Sequence, residues 1–105
     1  MEKIIQIVTT ASDRKIIEKI GRELIEKRLI ACAQIVGPIQ SVYRWKGKVE
    51  ETDEWLLLMK TRESHYPAIE AEFRRLHPYE IPEIIATVIE KGLPEYMDWV
   101  TKETE

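Results

Sequence analysis

Apolar residues dominate two long stretches between Ile30 and Thr61, and they recur in a pattern that predicts a folded-back pair of strands. The first arm runs from Ile30 to Arg44, the second from Val49 to Thr61, and Trp45-Lys46-Gly47-Lys48 lies between them. Lys46-Gly47 suits a two-residue hairpin loop, because glycine adopts positive φ without steric cost. With that loop at the tip and unbroken pairing, Arg44 faces Val49, Val36 faces Leu57 and Ile35 faces Leu58. At about 3.3 Å per residue, a fifteen-residue arm spans roughly 50 Å. A compact chain of this size is roughly 35 Å wide, so the hairpin is expected to overhang its domain unless Gly37-Pro38 bends it. Near its base both faces are apolar, with Trp55 and Leu57 on one and Leu56 and Leu58 on the other. A half-solvated antiparallel strand alternates instead, so each face calls for a cover.

The remaining periodicities complete a short list of elements. Lys3 to Thr10 reads as a strand, with Ile4, Ile5, Ile7 and Val8. Ser12 or Asp13 is placed to cap a helix whose inner stripe is Ile16, Ile17, Ile20, Leu24, Ile25 and Leu29. Gly21 inside that helix costs about 1 kcal/mol relative to alanine, and a close helix–sheet approach would account for it. After the hairpin, Ser64 is a candidate cap and Pro67 fits a first turn. Tyr66, Ile69, Phe73 and Leu76 form a second inner stripe, which Pro78 ends. Glu83 to Glu90 predicts a fourth strand, and Pro94 opens a last helix with Tyr96, Met97, Trp99 and Val100.

Strand, helix, strand, strand, helix, strand, helix is the order of an α+β ferredoxin-like β-α-β-β-α-β sandwich with an extra C-terminal helix and a long central β-hairpin. The right-handed crossover rule puts both main helices on one side of the sheet. The other side also carries Ile and Leu, and an apolar patch of that kind marks an interaction surface. Burying roughly 800 Å² of it per partner represents a gross gain on the order of 10 kcal/mol before association costs. Self-association is expected, with the hairpin pairing into a neighbour's sheet edge.

Composition narrows the classes. The 105 residues are expected to form a single domain, 1–105, with 44% apolar and 33% charged residues. A net charge of -3 with interspersed signs gives no basic footprint for nucleic acid. No apolar run reaches membrane-spanning length, so no membrane partner is expected. The single cysteine excludes an internal disulfide, and with no secretory signal pattern the expected location is cytoplasmic. Asparagine is absent while Glu, Lys and Arg abound, a composition seen in thermostable proteins. The run Glu50, Glu51, Asp53, Glu54 reads as a solvated strand end rather than a cation site.

Candidate chemistry is sparse. There is no phosphate loop, dinucleotide fingerprint, Cys-x-x-Cys or His-x-x-x-His. What remains gathers near the end of the second helix and the hairpin base. Unbroken pairing puts Lys60 opposite Ala33 and Cys32 opposite Thr61. His77, Tyr79, Glu80 and Glu83 occupy a loop held extended by Pro78 and Pro82. Each residue also has a structural reading: Cys32 as a small buried hydrophobe, His77 as a cap for helix carbonyls, Lys60 as a snorkelling side chain, and Trp45, Trp55 and Trp99 as packing anchors. One cysteine and two histidines make a thin metal inventory, one suited to weak binding or to sharing between subunits. His77 and Glu83 supply an acid and a base but no activated nucleophile, so no enzyme is expected.

Five segments together carry a resemblance: Ala31-Cys32-Ala33, Tyr43 to Glu51, Leu58-Met59-Lys60-Thr61, Leu76-His77-Pro78-Tyr79-Glu80-Ile81-Pro82-Glu83-Ile84, and Glu95 to Trp99. In order and spacing they resemble the CutA family of divalent-cation tolerance proteins along essentially the whole chain. The resemblance implies a ferredoxin-like homotrimer, non-enzymatic, with a role in tolerance of copper (Cu²⁺) and other divalent cations. It implies an intersubunit cleft lined by Cys32, Trp45, Lys60, Thr61, Tyr79 and Glu83, with His77 as the metal residue. Thr9 and Leu76 stand where some relatives offer a further thiol and a second histidine. The alternative is a small-molecule sensor like the trimeric PII regulators, with Lys60 and Tyr79 of the same intersubunit cleft holding an anionic metabolite. The short tip at Lys46-Gly47 lacks the long effector loop of those regulators.

Overall fold

The computed structural model describes residues 2–105; Met1, counted in the expected 1–105 domain, lies outside them. The described residues form β1 (Ile4–Ala11), α1 (Arg14–Glu26), β2 (Cys32–Trp45), β3 (Lys48–Arg62), α2 (Tyr66–Leu76), β4 (Ile84–Val88) and α3 (Pro94–Glu103). The strands make one antiparallel sheet in the order β2-β3-β1-β4, the ferredoxin-like α+β arrangement. Ile5, Ile7 and Ala11 of β1 and Leu57 and Met59 of β3 turn to one face. There they form a continuous core with Ile17, Ile20 and Leu24 of α1 and Ile69 and Phe73 of α2.

Local chemistry sets the element boundaries. Asp13, not Ser12, caps α1, its carboxylate accepting from the Lys15 N–H at 2.9 Å. Gly21 is buried in α1 because a β-carbon there would lie 3.1 Å from that of Ala33. The close helix–sheet approach expected at this glycine is present. Ser64 does not cap the second helix: it sits in a 3-10 turn, Glu63–His65, and its own N–H donates to Glu2. Strand β4 is shorter than the predicted Glu83–Glu90, since its pairing with β1 runs only from Ile84 to Val88. Helix α3 crosses the sheet's other face near the hairpin base. Arg62 donates to Thr104 Oγ1 at 3.1 Å and to the Thr101 carbonyl, and Ile4 and Val100 are both buried.

The hairpin turns where expected, with Lys46 and Gly47 at φ 48° and 80° and Arg44 opposite Val49. Its base is displaced by one residue from the unbroken pairing. Val36 faces Leu56, Ile35 faces Leu57, Ala33 faces Met59 and Cys32 faces Lys60. The shift falls between Val36 and Ile39, at Gly37-Pro38, whose peptide bond is cis. An extra residue on one strand moves all later side chains of that strand to the opposite face. Before the bulge, Ala33 and Ile35 therefore turn to the core and Cys32, Gln34 and Val36 away from it. After the bulge, the residues turned away are Ile39, Ser41, Tyr43 and Trp45.

Strand β3 pairs with β1 only from Trp55 onward, so Lys48–Glu54 has β2 as its single neighbour. The hairpin thus projects beyond the sandwich, in a molecule measuring 44 × 26 × 21 Å. The face opposite α1 and α2 leaves Val36 and Ile85 about half exposed, and Tyr96 and Trp99 of α3 are exposed as well.

At Gly37 an added β-carbon would stand 2.6 Å from the Trp55 ring. Gly37→Ala is expected to displace that ring and destabilise the fold by about 1–3 kcal/mol, the usual cost of overpacking. Thermal melts at equal protein concentration test this, and an unchanged midpoint would show that the bulge tolerates a side chain.

Candidate functional site

The extended segment after α2 folds against β1 and the hairpin, and one histidine holds it there. His77 is 8% exposed. The Tyr79 main-chain N–H donates to its Nδ1 at 3.1 Å, so Nδ1 is unprotonated and Nε2 carries the hydrogen. That hydrogen is donated to the Thr10 carbonyl at 2.7 Å. Both ring nitrogens are therefore committed to main-chain groups, and the ring packs edge-on against Tyr79 with centroids 4.9 Å apart. Burial pushes the His77 pKa below its ordinary 6.5, with the Thr10 carbonyl and the Glu54 carboxylate working in the other direction.

Held this way, Tyr79 reaches the hairpin, and its hydroxyl donates to Glu54 Oε2 at 2.8 Å. Burial raises the Tyr79 pKa above its ordinary 10, with hydrogen bonding to Ser12 opposing it and the Glu54 hydrogen bond and charge adding to it. Between loop and hairpin lies a cleft of about 550 Å³. Ser41, Val42, Tyr43, Trp45 and Glu54 form the hairpin wall, and Tyr79, Glu80, Ile81 and Glu83 the loop wall. Thr10 completes it from β1.

Of the residues singled out in the sequence, Trp45, Tyr79 and Glu83 meet in this cleft, with His77 as the strut beside it. Cys32, Lys60 and Thr61 do not join them. Lys60 lies six residues along β3 from Glu54, about 20 Å away at strand rise. Its ammonium donates to the Gln34 side chain. Cys32 stands beside Lys60 and meets the Tyr96 hydroxyl at 3.6 Å. Burial, then the Cys32 contact, pushes the Tyr96 pKa up to about 12. Thr61 points into the core and donates to the Leu29 carbonyl. The predicted pairing of Cys32 with Thr61 is thus corrected: the bulge puts them on opposite faces.

Ser41, Tyr43, Glu54 and Thr10 are among the cleft residues that escaped the sequence reading. Glu54 belongs to the acidic run read as a solvated strand end, yet it is only 5% exposed. The available signal was spacing, since Glu50, Thr52 and Glu54 share one strand face.

A divalent metal does not fit within this single chain. Among the described residues no group of three His, Cys, Asp or Glu side chains is placed to hold one. Ligation by His77 would require it to give up the Tyr79 N–H or the Thr10 carbonyl.

The sheet order, the two helices on one face and the projecting hairpin place the chain among small ferredoxin-like α+β proteins. More narrowly, it belongs to the CutA1 divalent ion tolerance protein family, whose description matches residues 5–103. It is 44% identical over 96 residues to Protein CutA of Mus musculus, covering 91% of this chain and 54% of the mouse protein. The chain thus spans about half the length of the mammalian relatives it matches. It is 40% identical to the divalent-cation tolerance protein CutA of Thermus thermophilus, with 99% of each chain covered. The solved CutA1 of Oryza sativa superposes with a TM-score of 0.95 at 35% identity, covering 99% of this chain and 95% of that one.

The lowered His77 pKa dictates a pH dependence. The unfolded chain takes up a proton near pH 6.5 while the folded one stays neutral to lower pH. His77's contribution is therefore present above about pH 6.5 and lost as pH falls from there toward the folded pKa. Urea denaturation between pH 7 and 5 should show this decline. His77→Ala should flatten it and cost about 1–3 kcal/mol at pH 7, as buried partners are left unpaired. An undiminished slope in the variant would remove His77 from the explanation.

Proposed function

We propose that this chain acts in divalent-cation tolerance as a non-enzymatic homotrimer, in which copper or another divalent cation, where bound directly, meets ligands from more than one copy. Membership of the CutA1 family supplies the functional class. The observation that carries the assembly is the projecting hairpin: residues Lys48–Glu54 of β3 have a partner on one side only. An unpaired edge of that length is a template for pairing with another chain. The half-exposed Val36 and Ile85 on the open face add apolar area for a second copy to cover. The thin donor set of one chain makes shared ligation the natural form of any direct metal site.

The sensor reading with an anionic metabolite has less support. Within one chain Lys60 and the Glu54 partner of Tyr79 lie at opposite ends of β3, so Lys60 and Tyr79 could hold one ligand only across a subunit boundary. The cleft that Tyr79 lines carries Glu54, Glu80 and Glu83, which repel an anion.

Native mass spectrometry of protein purified without chelators is expected to give a particle of three times 12.4 kDa. A stable lone chain at micromolar concentration would end the assembly reading.

Copper(II) titration of the native protein, Cys32→Ser and His77→Ala tests ligation separately. Weaker binding by Cys32→Ser or His77→Ala would assign that residue to the site. Equal binding by all three proteins would remove both residues from it, and binding by none would leave only an indirect role.

A further inference from the structure

The cleft between hairpin and proline-bracketed loop holds chemistry beyond a metal role, centred on Glu54, which the sequence reading left out. Its walls set the aromatic faces of Trp45, Tyr43 and Tyr79 among the carboxylates of Glu54, Glu80 and Glu83. Glu54 is the decisive member. It is 5% exposed, it lines the cleft, and only its Oε2 is engaged, by the Tyr79 hydroxyl. Among the described residues Oε1 accepts no hydrogen bond, and no lysine or arginine lines the cleft with it. Oε1 is unpaired yet not sealed from solvent, so it is the open acceptor that the cleft offers to a cation.

The chain itself shows which countercharge this corner accepts. Lys46, at the hairpin tip, extends its ammonium to 3.7 Å from the Glu80 carboxylate and 5.5 Å from the centroid of the Trp45 ring. This is an ammonium held between an aromatic face and a carboxylate, the arrangement that recognises organic cations. It remains largely in solvent, at 71% exposure, so an incoming cation can displace it at little cost. A volume of about 550 Å³ lies within the range of small-molecule pockets. The carboxylates do not converge as a metal-binding set, and the aromatic walls favour a cation that carries its own apolar body.

We propose that this cleft binds a small organic cation bearing a primary ammonium group, with the ammonium directed to Glu54 and the carbon chain against Trp45 and Tyr43. Lys46 is a tethered competitor at the rim. The site shares Trp45, Tyr79 and Glu83 with the cleft that the family resemblance implies, and His77 only positions its loop; the ammonium itself needs Glu54 and no metal ligand.

The test uses the protein in its solution assembly, with 1,5-diaminopentane as probe, followed by calorimetry and tryptophan fluorescence at low salt. Glutarate, of similar length and opposite charge, serves as one control and magnesium chloride as the other. Saturable diamine binding, absent for glutarate and magnesium, is the expected result. Glu54→Gln keeps an acceptor for Tyr79 and removes the charge, and should weaken diamine binding about tenfold or more. Lys46→Ser should tighten it. Should Glu54→Gln fail to fold, Trp45→Leu, on the projecting hairpin and outside the core, should show the same loss. The proposal is overturned if the native protein does not bind the diamine, if glutarate binds equally, or if every folded variant binds like the native protein. Tighter, Glu54-dependent binding of magnesium would likewise overturn it in favour of a metal site.

Discussion

A single extra residue at Gly37-Pro38 decides what each half of the central hairpin can do. Strand β2 must put Ala33 and Ile35 under α1, where Gly21 leaves no room for a larger neighbour. It must also put Tyr43 and Trp45 on the face where the loop after α2 approaches. These residues are all odd-numbered, so an unbroken strand would place them on one side. The bulge puts them on opposite sides, and the close approach of Trp55 to Gly37 shows how tightly it is packed. Core and cleft are thus built from one strand.

That constraint also explains what could be read from the chain beforehand. The periodic stripes of α1 and α2, the Lys46-Gly47 turn and the order of elements follow from local rules, and the structure carries them, except that Ile25 of the predicted α1 stripe is exposed and Leu29 lies beyond the end of the helix. The register at the hairpin base did not follow, because pairing rules count residues from the turn and a bulge resets the count without a unique signature. Gly37-Pro38 signalled a bend, whereas the slip itself depends on Trp55 packing against Gly37 from the neighbouring strand. Glu54 was misread for a similar reason. Four acids in five residues look solvated, and only the fold brings Tyr79 across 25 positions to bury one of them. His77 was legible as a helix-end residue that satisfies main-chain groups. The carbonyl it reaches, however, belongs to Thr10 of β1 rather than to its own helix.

Two separate groups of polar side chains stand at the ends of the hairpin. At the hairpin base Cys32 meets the Tyr96 hydroxyl and Lys60 donates to Gln34 on the open face. At the other end Glu54, Tyr79 and the imidazole of His77 form a chain whose direction is fixed by the two hydrogen bonds of His77. A neutral, doubly bonded imidazole supplies orientation without charge, and so leaves the cleft acidic. A protonated one would place a cation beside Glu54 and cancel the potential that distinguishes this cleft from the rest of the surface.

Assembly and cleft are coupled through the hairpin, because the segment that lacks a second strand partner is also one wall of the cavity. Lys48–Glu54 and its β2 partners carry Glu54, Tyr43 and Trp45 outside the support of α1 and α2. An isolated two-stranded ribbon is marginally stable in water, so the wall gains rigidity from whatever pairs with its edge. In the proposed trimer the cavity would be pre-organised by neighbouring copies, and a ligand that prefers the ordered wall would favour the assembled state by the same free energy. A lone chain would have to order the ribbon at the moment of binding. The quantity linking assembly to the cleft is therefore the stiffness of this ribbon, which pairing along its free edge sets.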